Sequence, residues 1–267
     1  MNHTSGNTQR GVSLAARAGY TAKGIVYVLI GGLSAMAAFG LGGQRGGASE
    51  AVTHMASKTL GTTLMVVLSI GLLSYTAWRI IQAVLDSEDK GNGLKGILVR
   101  TGFVISGLTY ATVAWRCINL LMQSASSSSS TSQRTAMVMQ HPGGLIAIGV
   151  LGIIVALVGL RQFQRAIKRS YRKSWHTEKM PEHQLRIADA IARWGLSARG
   201  VVFLIIGGFL CLSALHTDPS QAKGLGGALT TVAQQPFGPW LLLAVALGLI
   251  AYGGYCFVNA RYRTTSA

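Results

Sequence analysis

Arg17-Ala18-Gly19-Tyr20-Thr21-Ala22-Lys23-Gly24-Ile25-Val26-Tyr27 decides the fold, because the chain contains it three times. Arg193-Trp194-Gly195-Leu196-Ser197-Ala198-Arg199-Gly200-Val201-Val202-Phe203 repeats it at an offset of 176. Arg100-Thr101-Gly102-Phe103-Val104-Ile105-Ser106-Gly107-Leu108-Thr109-Tyr110 repeats it at an offset of 83. In each copy a Gly follows the Arg by two residues, a second Gly comes five later, and an aromatic ring three after that. Every copy runs straight into a long apolar segment.

Charged residues make up 12% of the 267, about half the roughly 25% of a soluble chain. Hydrophobic residues reach 49% and the mean hydropathy is +0.39. The charges gather in short segments between uncharged runs, which is the pattern of a multi-spanning membrane protein. A net charge of +16 would point to nucleic acid in a soluble chain. Here it reads as loops retained in the cytoplasm, and no nucleic-acid partner is expected. Cys117, Cys211 and Cys256 lie in apolar runs without metal or redox spacing and read as small buried hydrophobes.

Working outward from the motif gives six apolar runs, at about 19–40, 60–82, 99–122, 143–163, 198–215 and 239–258. Each has 18 or more residues, enough for about 30 Å of hydrocarbon at 1.5 Å per residue. Residues 1–13 are polar and aperiodic and are expected to be disordered. Ala35-Met36-Ala37 resembles a signal cleavage site, but the same helix pattern returns at 193–213, so the first run is expected to be retained. Ala51, Val52 and Met55 share one helical face, as do Ala228, Leu229 and Val232; both stretches read as short interfacial helices. The serine tract 124–132 reads as a flexible loop. From Arg161 to Lys173 there are six basic residues and no acid, and the fourth helix is expected to continue through them. The chain thus divides into a first repeat over 14–85, a second over 97–166, a basic linker over 167–189 and a third repeat over 190–260.

Six spans place both termini on one side. Nineteen of the 24 Lys and Arg fall there and five on the other, which makes that side cytoplasmic. Each two-helix unit then starts inside. The expected fold is an all-α integral membrane six-helix bundle of three tandem parallel two-span repeats, pseudo-threefold about the membrane normal. Gly19, Gly24, Gly102, Gly107, Gly195 and Gly200 are the expected helix-packing positions. The motif arginines Arg17, Arg100 and Arg193, with Arg161, Arg165, Lys168, Arg169, Arg172 and Lys173, are the candidates for contact with anionic lipid headgroups or a protein partner.

The motif, its threefold repetition and the two-span unit resemble a bacterial membrane family, Domain of Unknown Function 1206, over nearly the whole chain. The middle copy departs: Ser106 stands where the others carry Lys23 and Arg199, Ala114-Trp115 replaces Gly31-Gly32 and Gly207-Gly208, and its second span lacks the tyrosine of positions 75 and 252. The resemblance implies an architecture in the bacterial inner membrane. It brings no activity, cofactor or site residues.

Chemistry is sparse along the chain. All eight acids fall outside the apolar runs, which disfavours a proton- or sodium-coupled transporter. No phosphate loop, nucleophile elbow or paired-His metal motif occurs. His54, His141 and His216 sit in outer loops at inequivalent repeat positions, so neither metal nor cofactor is expected. Tyr27, Tyr75, Tyr110 and Tyr252 read as core side chains, with a polar cleft between repeats as the alternative. A non-enzymatic membrane protein with a structural or interaction role is the expectation, and a small-solute or ion path the runner-up.

Overall fold

A computed structural model describes residues 3–41, 51, 61–84, 91, 93–122, 131–141 and 143–263. Its helices in chain order are α1 (His3–Ala38), α2 (Gly61–Val84), α3 (Leu94–Leu121), α4 (Thr131–Met139), α5 (Gly144–Ile167), α6 (Glu182–Leu215), α7 (Leu225–Ala233) and α8 (Gly238–Tyr262). Six of them, all but α4 and α7, are long and apolar enough to cross a membrane. In hydrocarbon, helices are what long apolar runs must form, since every backbone N–H and C=O needs a partner within the segment. No strand occurs among the described residues.

Two helices differ from the sequence expectation. α1 starts at His3, not near residue 14. Once the packed segment has nucleated a helix, each preceding residue adds a hydrogen bond at the small cost of propagation. α5 ends at Ile167, and the chain turns at Arg169, whose φ is +49°. The basic run therefore folds back and does not extend outward.

The short helices recur. α7 buries Ala228, Leu229 and Val232, as their shared face implies. α4 lies 94 residues before it and covers 131–139, so it begins inside the stretch that composition marks as loop. Both lead into a glycine, Gly144 or Gly238, where a Cβ would collide with the carbonyl of Val138 or Ala233. Ala51, the counterpart of Ala228 in the first repeat, is also buried. The rest of that stretch, the glycine-rich residues 42–47, residues 85–90 and residues 123–130 lie outside the described residues.

The spans pack in the order α3–α2–α1–α8–α6–α5. Each neighbouring pair is antiparallel and meets at glycine. Gly24 faces Gly253 and Phe257, while Gly31 faces Ala246 and Ile250. In the same way Gly200 faces Gly159 and Phe163, and Gly207 faces Gly152 and Ala156. Gly107 faces Thr76 and Arg79. So the second glycine of each motif copy packs against a second helix of another repeat. The first glycine packs within its own repeat: Gly19 on Tyr75 and Gly195 on Tyr252. Gly102 is the exception. Among the described residues nothing lies within 4 Å of where its Cβ would be, because α3 and α5, the two spans of the middle repeat, are not packed on one another.

Adding a methyl group at these glycines therefore differs in cost. A Cβ at Gly195 would sit 2.4 Å from the Tyr252 backbone nitrogen. Gly195→Ala should force α6 from α8 and destabilise by about 1–3 kcal/mol, lowering the unfolding midpoint in detergent. Gly102→Ala should be neutral or raise it, since Ala is the better helix former. Equal midpoints for the two variants would contradict this packing.

Candidate functional site

Three cations enter the bundle beside the tyrosines. Lys23 is 2% exposed and its Nζ donates to the Tyr75 hydroxyl at 3.0 Å. Arg79, one turn beyond Tyr75 on α2, donates from Nε to the same hydroxyl at 2.8 Å and from Nη1 to Gln82 Oε1 at 2.9 Å. Arg199 on α6 donates to the Tyr252 hydroxyl. Lys23 Nζ also lies 4.9, 5.1 and 5.6 Å from the ring centres of Tyr75, Tyr110 and Tyr252. The guanidinium of Arg79 lies over Phe103, and that of Arg199 over Tyr27 and Phe203. Two edge-to-face pairs, Tyr27–Tyr252 and Tyr75–Tyr110, complete the cluster.

The four described acids are engaged elsewhere. Asp189 takes Arg172, Glu182 takes Arg186, Glu178 takes His176, and Asp218 accepts from Ser220 and Gln221. Among the described residues, then, no carboxylate partners the three cations. Nor do three His, Cys, Asp or Glu side chains gather as metal ligands among them.

The sequence profile described as Domain of Unknown Function (DUF1206) matches three times, at 18–86, 101–169 and 194–263. The chain belongs to that family. An uncharacterized protein of Bacillus subtilis (strain 168), YxxB, is 31% identical over 263 residues, covering 98% of this chain and 95% of its own. No solved structure matches.

In this DUF1206 chain the residues 168–181 form a cap over the end of the bundle that carries the motif. Trp175 is buried and its indole donates to Asn259 Oδ1 at 3.3 Å. The His176 amide donates to the Tyr262 carbonyl at 2.9 Å, and Trp175 bridges to Arg263. Tyr171 stacks against Trp175 and Tyr255 and donates to the Asp189 carbonyl. Burial pushes the Tyr171 phenol above its ordinary value near 10, against the pull of Arg172 and Arg169.

The basic candidates separate accordingly. Arg100 donates to the Ala83 and Val84 carbonyls and so closes the C-terminus of α2, where a cation also suits the helix dipole. Arg165 donates to the Tyr255 hydroxyl, and Arg172 and Arg169 turn to Asp189. Arg17, Arg161, Lys168, Lys173 and Arg193 are exposed. Beneath Arg193 and Trp194 a groove between α6 and α8 is lined by Ser197, Ala198, Val201 and Ala244.

Loop counting from sequence treats Lys23, Arg79 and Arg199 as rim charges, whereas the structure buries Lys23 and half-buries Arg79 and Arg199 beside the tyrosines. A signal for that placement is present in the chain: Lys23 precedes Tyr27 by four residues, Arg199 precedes Phe203 by four, and Arg79 follows Tyr75 by four. Residues four apart share a helical face, so each cation points where its ring points.

The cap should loosen when Asp189 is neutralised. Asp189→Asn, with Arg172 partly exposed, is expected to cost about 1–2 kcal/mol and to open Lys173 and Lys179 to trypsin while the spans stay protected. High pH should act similarly. The folded state holds the Tyr171 proton more tightly than the unfolded state, so stability falls as pH rises through about 10. Tryptic resistance of the Asn variant equal to wild type would contradict the first, and wild-type stability unchanged above about pH 10 would contradict the second.

Proposed function

We propose that this is a non-enzymatic protein of the bacterial cell (inner) membrane, with both termini cytoplasmic, whose role is to engage anionic lipid at its motif end. Its three two-helix units face the same way around an axis along the membrane normal. The glycine registers support that arrangement: each contact pair is antiparallel, so α1, α3 and α6 run alike. The 19-to-5 division of basic residues supports the cytoplasmic assignment.

One observation carries the lipid reading. The groove under Arg193 and Trp194 joins an apolar, small-residue trough to an exposed guanidinium and an exposed indole. An acyl chain suits the trough, a headgroup phosphate suits the guanidinium, and tryptophan favours the interface between them. Arg17, Arg161, Lys168 and Lys173 add attraction of about 1 kcal/mol per charge near an anionic surface. An acidic protein partner is a further candidate for the same face. A second reading, a path for a small solute or ion, is favoured by the tyrosine-lined polar interior near Lys23.

Native mass spectrometry of the protein extracted from phosphatidylglycerol-containing membranes should find bound phosphatidylglycerol. Arg193→Ala with Trp194→Ala should remove at least half of it without lowering the unfolding midpoint. A reporter attached at Lys173→Cys should react from the cytoplasm alone. Labelling from the outside would refute the orientation, and unchanged lipid retention would refute the groove.

A further inference from the structure

We infer that buried Lys23, with half-buried Arg79 and Arg199 beside it, forms a binding site for an oxyanion, a phosphate or carboxylate group, separate from the rim arginines. Convergence is the first ground. The three side chains come from α1, α2 and α6 and share acceptors: Lys23 and Arg79 both donate to the Tyr75 hydroxyl, and Lys23 and Arg199 both face the Tyr252 ring. Like charges gathered among apolar helices and shielded from water are costly, and a counter-charge would relieve that cost, while the described carboxylates are committed elsewhere.

Donor chemistry is the second ground. Arg199 Nε is buried and has no hydrogen-bond partner among the described residues. Tyr75 accepts from two cations, which leaves its own hydroxyl proton free to donate. Guanidinium N–H groups, an ammonium and tyrosine hydroxyls together are donors suited to oxygen anions. The third ground is depth. Lys23 lies seven residues inside the start of its span at Ala16, about 10 Å at 1.5 Å per residue. That is within reach of a lipid phosphate drawn into the bundle or of a free anion entering beside the cap. Both sources present the same oxygens.

The test uses the full chain in detergent at constant ionic strength, with inorganic phosphate as probe and chloride as control. Phosphate should raise the unfolding midpoint saturably. Lys23→Met and Arg199→Gln should each weaken its apparent affinity at least tenfold. Removing a cation should also raise or preserve the midpoint in chloride, because less charge is left uncompensated; a purely structural cation–ring cluster would lose stability in every buffer. Ser106→Lys is the second variant, for use if either of the others fails to fold. Phe103 and Tyr110 flank Ser106 by three and four residues and both lie against the cations, so the new ammonium should tighten phosphate binding at least threefold. Micelles doped with phosphatidylglycerol form the second arm. A midpoint shift there with none from phosphate assigns the oxyanion to a headgroup. No shift in either arm, or the same affinity in all variants, overturns the site.

Discussion

Backbone-to-backbone contact between antiparallel helices at glycine governs this bundle. In lipid the hydrophobic effect gives no drive for one helix to find another, and association rests on close packing and hydrogen bonds. The contacts are tight: a Cβ on Gly31 would lie 2.6 Å from the Ala246 carbonyl, and one on Gly207 would lie 2.7 Å from that of Gly152. Such approach fixes register along the helices. With register fixed, Tyr27 must meet Tyr252 and Tyr75 must meet Tyr110. The cations one turn away are carried in with them. Packing of the smallest side chains thus determines where the largest polar ones end.

The middle repeat has lost part of that contact, and its two spans have separated. It keeps the second motif glycine, Gly107, which seats α3 on α2. It keeps the first, Gly102, but no described residue lies within 4 Å of where a Cβ there would be. The α5 residue matching Tyr75 and Tyr252 in register is Val158, which is 38% exposed. The middle repeat is therefore split between its neighbours, α3 on α2 and α5 on α6, and it brings no cation at Ser106. Departures scattered along its sequence share one structural cause.

Much of this is legible in the chain. Six spans come from long apolar runs that hold no acid, and the packing faces from the glycine spacing, since both depend on local pattern. The buried face of α7 is readable from Ala228, Leu229 and Val232 for the same reason. Other features depend on contacts between distant segments and leave no periodic trace. The cap is held by Trp175 on Asn259 and by Arg172 on Asp189, pairs separated by 84 and 17 residues. Composition reads that stretch only as basic. α4 is hidden because its neighbouring serines dominate any window that includes it. Lys23 and Arg199 are easily misplaced because an Arg or Lys near a span end ordinarily snorkels, and only the ring four residues on shows that the face turns inward.

That misplacement bears on orientation and on chemistry together. Interior cations do not report loop charge, so Lys23, Arg79 and Arg199 drop out of the count, and nineteen less three leaves sixteen basic residues against five. The proposed orientation survives. The reason for the three charges changes. Cation–ring contacts are worth about 2 kcal/mol when desolvated, while burying an ion costs several kcal/mol even after relaxation. Lys23, with three rings and one hydroxyl around it, comes near balance alone. Three cations sharing Tyr75 and Tyr252 cannot each have the full benefit, because a ring polarised toward one has less to offer the next. Structural need alone would be met better by uncharged side chains of similar size. Retaining all three in one cluster makes sense when something negative is to be held there.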